Sequence, residues 1–215
     1  MRSELSRRIL PCTECNALSD SDAATVRPFR KPCAQFDIYT TWKPSPFRVV
    51  FIAEAPPANS EGYFYDHKPH ANYKETLRKA LFELLELKGD DTSARLFEFK
   101  KRGYFLVDAI KCRCKKTNGQ PLASVTRTCA GKWLAQELEE VGSPSRICVF
   151  GLAARLALSQ VKGFEELSRY SVTKDCGKVV EVERGEVLIW PFLGWRNEEY
   201  YLPKIPVFKQ FCYVN

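Results

Sequence analysis

Nine cysteines are spread over the 215 residues, and five of them fall into a pattern suited to holding a metal. Cys12 and Cys15 form a C-x-x-C pair, a spacing that lets two thiolates face one centre. Far downstream, Lys111-Cys-Arg-Cys114 and then Cys129 bring further thiols, with Cys112 and Cys129 bracketing a loop. Four thiolates of this kind suit either zinc or a 4Fe–4S cluster, and the spacing does not choose between them. Cys33, Cys148, Cys176 and Cys212 read instead as small buried hydrophobes. An odd number of thiols and no apolar leader segment argue against a disulfide framework and for a place inside the cell.

Acid–base chemistry has its own candidates. Glu54 closes an apolar run, and Glu61, Asp66, His67 and His70 follow in one loop. A carboxylate at a strand end is placed to orient a water or to stabilise developing positive charge. The two histidines are the only ones in the chain and sit beside Pro69, where a solvent-exposed loop pair is the ordinary reading. Lys111, Arg113, Lys115 and Lys116, backed by Arg127, make a basic loop able to contact phosphates. Thirty-three Lys and Arg against twenty-six Asp and Glu give +7, which suits a polyanionic partner.

The elements that must position these groups alternate. Phe47–Ala53, Tyr104–Ile110, Arg146–Phe150 and Glu186–Trp190 read as strands, with Val179–Val182 pairing beside the last. Tyr73–Leu87, Leu122–Val141 and Leu152–Gln160 have helical spacing. Glu54-Ala-Pro-Pro57 stops the first strand, because two prolines cannot continue the ladder. Residues 1–46 read as an irregular segment of a single domain spanning 1–215. The expectation is an α/β fold: three layers, α/β/α, around a central, mainly parallel, four-stranded sheet. Ligands of such sheets bind beyond the carboxyl ends of the strands. Those ends are Glu54, Asp108, Gly151 and Pro191–Asn197, where the unusual residues gather. No run approaches the ~20 apolar residues of a membrane span.

Taken in order, these segments resemble the family 4 uracil-DNA glycosylases of the uracil-DNA glycosylase superfamily. Phe51-Ile-Ala-Glu-Ala-Pro-Pro57 looks like the first motif, Gly62-Tyr-Phe64 like its later part, and Asp108-Ala-Ile-Lys-Cys112-Arg like the second. Ile147–Ala154 and Pro191-Phe-Leu-Gly-Trp-Arg-Asn197 are similar to the remaining two. The resemblance implies a monomeric base-excision repair enzyme that hydrolyses the N-glycosidic bond of a deaminated base in DNA. It implies a 4Fe–4S cluster on Cys12, Cys15, Cys112 and Cys129, with Cys114 a possible substitute where the family usually has proline. It further implies base binding by Ala53, Phe64, Asp108 and Trp190, with Phe64 stacking on the flipped base. Glu54, Asp108 and Glu61 become the catalytic candidates, Arg196 a phosphate contact, and Leu193 and Trp195 a wedge into the stack. Two positions depart from the family. Asp108 stands where it has asparagine, and Trp190 where it has histidine. An ionised aspartate only accepts hydrogen bonds, whereas a neutral one, which burial favours, presents both a donor and an acceptor; an indole donates but cannot take up charge. The altered residues point to altered base specificity, with hypoxanthine and xanthine beside uracil, or to a DNA-binding protein of this fold that has lost catalysis.

Overall fold

The apolar runs lie side by side. The computed structural model describes residues 2–14, 31–57, 63–67, 76–112, 123–142, 144, 146–193 and 198–213, and it places five strands in one sheet. These are β1 (Val49–Ala53), β2 (Tyr104–Asp108), β3 (Arg146–Phe150), β4 (Val179–Val182) and β5 (Gly185–Trp190), ordered β2-β1-β3-β5-β4. β2, β1, β3 and β5 are parallel and almost wholly buried, which is why their sequences are continuous runs of Val, Ile, Leu and Phe. The sheet has one strand more than the four expected. β4 joins β5 antiparallel, and it alternates between an exposed Val179, a buried Val180 and an exposed Glu181, as an edge strand with one wet face does.

Helices cover both faces. Helices Thr76–Leu84 and Thr92–Lys101 lie between β1 and β2. Between β2 and β3 the chain forms one long helix in three parts: Ala123–Cys129, a π-helical Ala130–Leu134, and Ala135–Glu140. Helix Leu152–Leu158 follows β3, and Glu198–Tyr201 and Ile205–Tyr213 follow β5. On one face Phe51 meets Phe99, Tyr104, Phe150 and Phe208, all with ring centroids under 6.5 Å apart. On the other, Phe105 meets Tyr39, Phe47 and Tyr65. Among the described residues no helix is long and apolar enough to cross a membrane.

The N-terminal segment is more ordered than its composition implies. It contributes helices Glu4–Ile9, Pro32–Gln35 and Ile38–Thr41. Ser3 caps the first by accepting from the Ser6 amide at 3.1 Å. The Asp37 carboxylate accepts from the Ser3 amide and from the Ser3 and Ser6 hydroxyls, tying the first helix to the other two. Burial opposes the charge on Asp37, but hydrogen bonds from Ser6 and Ser3 overcome it and hold the pKa below the ordinary value. Leu5, Ile9, Ala34, Ile38 and Tyr39 are buried in the core, but they fall on helices of four to six residues, too short for hydrophobic periodicity to show.

A buried ion pair connects it to the sheet. The Lys111 ammonium, 1% exposed, donates to the Glu137 carboxylate, 0% exposed, and to the backbone carbonyl of Asp108. The Tyr39 hydroxyl donates to the other Glu137 oxygen. Burial pushes the Glu137 carboxyl above its ordinary value, against the pull of Lys111 and Tyr39. Three chain segments thus meet on one carboxylate: helix Ile38–Thr41, the turn after β2, and helix Ala135–Glu140.

Removing one member strands a buried charge. Lys111→Met is expected to lower unfolding stability by about 3–5 kcal/mol, whereas Lys111→Met with Glu137→Leu should recover most of that loss. Urea unfolding of the two variants at neutral pH measures the difference; equal losses would mean that the charges do not act as a pair.

Candidate functional site

The carboxyl ends of the parallel strands are stitched together beyond the strands themselves. The Ala109 amide donates to the Ala53 carbonyl at 2.8 Å and the Ile110 amide to the Glu54 carbonyl at 3.0 Å. The Gly151 amide donates to the Trp190 carbonyl at 2.9 Å. Ala53 and Asp108 are register partners, so Glu54 leaves the neighbouring strand one residue beyond Asp108. Both carboxyl side chains are buried. Two acids kept from bulk water at the ends of adjacent strands can divide labour between a water and a base.

Gly151 makes room for one of them. Its φ is +88°, in the region that favours glycine, and a Cβ there would lie 2.7 Å from Glu54 Oε1. The turn after β3 therefore leaves the Glu54 carboxylate in direct contact with bare backbone. Position alone marks Gly151 in the sequence as a strand-to-helix turn; the carboxylate lying against it is visible only in three dimensions.

Several expected site residues are placed otherwise. Phe64, 4% exposed, is enclosed by Tyr65, Phe82 and Phe99 at 5.0 to 5.7 Å, so its ring packs in the core rather than offering a face to a base. Trp190, 0% exposed, packs on Phe208 at 4.9 Å and on Tyr201 at 6.2 Å, so it too is a core residue. Its indole N–H has no hydrogen-bond partner among the described residues. Leu193 is fully buried and cannot wedge into a base stack. Lys111 is not a phosphate contact, because Glu137 and the Asp108 carbonyl hold its ammonium inside. Ala53 is buried at the end of β1, Asp66 is buried in its loop, and His67 and Arg127 are exposed. Glu61, His70, Arg113, Cys114, Lys115, Lys116, Trp195, Arg196 and Cys15 lie outside the described residues.

The structure adds groups that residue type alone does not reveal: Tyr63, Tyr39 and Glu137. Glu137 sits in Gln136-Glu-Leu-Glu-Glu140, which reads as a solvated acidic helix end. Tyr63 sits in Gly62-Tyr-Phe64, where the resemblance singles out Phe64 and not its neighbour.

The cysteines separate into two groups. Burial pushes the Cys33 thiol up to about 12 and the Cys176 thiol to about 11, and raises Cys148 and Cys212 as well. These four are inert, neutral thiols. Cys112 and Cys129 are buried and Cys12 is half-buried. The Trp133 indole donates to Cys12 Sγ at 3.2 Å. Cys129, Trp133 and Glu137 are spaced four apart along the long helix. One of them is a candidate ligand, the next touches Cys12, and the third grips the residue before Cys112. Among the described residues no three His, Cys, Asp or Glu side chains lie close enough to hold a metal.

A surface cavity of about 300 Å³ opens at the other end of the sheet, between Pro46, Arg48, Glu98, Lys101, Arg102 and Gly103. It lies at the starts of β1 and β2, the end of a parallel sheet where ligands are not expected, and it reaches none of the candidate site residues.

The model of the Uracil DNA glycosylase superfamily matches residues 40–205. The matched span takes in all five strands and both strand-end acids, and it begins after Cys12 and Cys15. No curated protein matches the sequence.

Gly151→Ala should both strain a left-handed turn and displace the Glu54 carboxylate. The expected stability loss is about 1–2 kcal/mol, of the size usual for alanine at a positive φ. Thermal unfolding measures it, and an unchanged midpoint would show that the turn relaxes freely.

Proposed function

Because the chain belongs to the Uracil DNA glycosylase superfamily, we propose that it removes a deaminated base from DNA by hydrolysing the N-glycosidic bond. Uracil is the first substrate of this reading, with hypoxanthine and xanthine beside it. The observation that carries it is the pair of buried carboxyl groups, Glu54 and Asp108, at the ends of adjacent parallel strands.

Glu54 is the residue that directs water. Its carboxylate accepts a hydrogen bond from the attacking water and stabilises positive charge as the sugar becomes oxocarbenium-like. The water oxygen bonds to the sugar carbon, the bond to the base nitrogen breaks with its electron pair leaving on the base, and the proton lost by the water passes to the Glu54 carboxylate. Asp108 reads the edge of the base. Lys111 holds the Asp108 carbonyl, so the carboxyl is presented from a fixed backbone. Glu61 is a further candidate acid, and Arg113, Lys115, Lys116, Trp195 and Arg196 are the candidate DNA contacts. The net charge of +7 favours such a partner.

Cys12, Cys15, Cys112 and Cys129 are the proposed ligands of a 4Fe–4S cluster. Their thiolates suit it as a donor set, and the Trp133 indole hydrogen bond fixes the Cys12 sulfur against the helix that carries Cys129. When bound, the cluster would tie the N-terminal segment to the turn after β2. Zinc is the other metal such a donor set accepts.

A second reading has its own support. Trp190 fills the core where the resemblance calls for histidine, so that strand end offers no imidazole to the leaving base. A chain of this fold that binds DNA through the same surfaces and performs no chemistry would look the same there.

Single- and double-stranded oligonucleotides carrying uracil, hypoxanthine or xanthine separate the two readings. The wild-type chain is expected to release at least one of these bases. Glu54→Gln should slow that release by roughly 10²–10⁴-fold while leaving DNA affinity within about twofold. Binding without release of any base would leave the second reading standing.

Protein purified without oxygen should be brown, with broad visible absorption that Cys129→Ser reduces. A colourless chain containing one zinc would replace the cluster with zinc.

A further inference from the structure

Tyr63 is 1% exposed, and among the described residues its hydroxyl has no hydrogen-bond partner. Most buried hydroxyls find one, so an unengaged phenol beside a reaction centre calls for a ligand. The ring is held in place: it stacks on Phe36 with centroids 5.4 Å apart and meets Tyr65 at 6.0 Å. The segment is fastened to the free edge of β2. The Tyr65 hydroxyl accepts from the Leu106 amide at 2.7 Å and donates to the Leu106 carbonyl at 3.0 Å. The Arg78 guanidinium donates to the carbonyls of Tyr63, Phe64 and Asp66. Residues 63–66 form a turn closed by the Asp66 amide donating to the Tyr63 carbonyl at 2.9 Å, and Leu106 lies two residues before Asp108 on β2. Burial first, and the charge of Asp108 second, push the Tyr63 phenol well above its ordinary range. It therefore stays a neutral donor, and the Asp108 carboxyl is the charge that bears on it most.

From this arrangement we infer that Tyr63 determines specificity jointly with Asp108: the Asp108 carboxyl accepts the N–H of a base edge, and the Tyr63 hydroxyl donates to the carbonyl oxygen beside it. The inference rests on the reading of Asp108 as the base-edge residue. An asparagine performs both tasks with one amide, whereas an ionised aspartate only accepts and leaves the donor to be supplied by another group. The substrate class follows from the pattern. Uracil (N3–H beside O4) and hypoxanthine (N1–H beside O6) present the matching edge. Cytosine presents an acceptor and an amino group, opposed to the carboxylate and to the donating hydroxyl, and is rejected.

The test is single-turnover release from single-stranded oligonucleotides, read together with thermal unfolding. Tyr63→Phe should release uracil and hypoxanthine about tenfold more slowly, the kinetic weight of one hydrogen bond. Its unfolding midpoint should be unchanged or higher, since only an unengaged buried hydroxyl is removed. Asp108→Asn placed in the Tyr63→Phe chain restores a donor, and its rate should return to within about threefold of Asp108→Asn alone. A Tyr63→Phe rate within about twofold of wild type, or a double variant that stays slow, would overturn the role of Tyr63. A wild-type chain that releases neither base removes the glycosylase reading and this inference with it. An active wild type beside an unaffected Tyr63→Phe removes the role of Tyr63 alone.

Discussion

A carboxylate and an ammonium with almost no solvent access hold this structure in register. Taking two charges out of water is unfavourable, and their attraction offsets that only when geometry and extra hydrogen bonds are good. Here they are supplied by Tyr39 on one Glu137 oxygen and by the Asp108 carbonyl on the Lys111 ammonium. A hydrophobic trio would fill the same volume, but it would accept many arrangements. The charged set accepts few, and it joins the segment before β1, the turn after β2 and the helix before β3. The backbone of Asp108 is set by that joint rather than by the sheet alone.

The two acids at the strand ends show a different principle. Each follows an apolar strand that has no side-chain freedom to give, and each is pinned by its neighbours' backbone. Glu54 lies across Gly151, and Asp108 is paired in register with Ala53. The sheet contributes the spacing, and the glycine contributes the room. Little of the precision in this site comes from the acids themselves.

Much of this was legible in the sequence. The parallel strands are continuous apolar runs, so β1, β2, β3 and β5 could be read to within two residues. Glu54 and Asp108 could be placed at strand ends because prolines and a basic loop follow them. Helix Thr92–Lys101 could not be read, because it buries only Leu96 and Phe99 and leaves Phe97 exposed; its plainest signal is Asp91, which caps it by accepting from the Ala94 amide. The inward placement of Phe64, Trp190, Leu193 and Lys111 is not legible in the sequence, for one common reason. Residue type and neighbourhood say which groups lie near a strand end, but not whether they turn towards solvent or into the core. Two aromatic rings, an aliphatic side chain and an ammonium all turned inward. Glu137 was hidden in the opposite way, as a charged residue in an acidic stretch that nevertheless points inside.

The π-helical stretch Ala130–Leu134 works as a phase corrector. With 3.6 residues per turn, four residues of α-helix overshoot a full circle. A π turn bonds each residue to the fifth along and is wider, so four of its residues fall short. Placed in sequence, the deficit between Cys129 and Trp133 and the excess between Trp133 and Glu137 offset one another over the whole interval. The interval between Cys129 and Glu137 is consequently a fixed gauge. Loss or gain of a single residue within it would swing one end against the other by about 100°, parting the Cys129 thiol at the top of the helix from the ion pair at its foot.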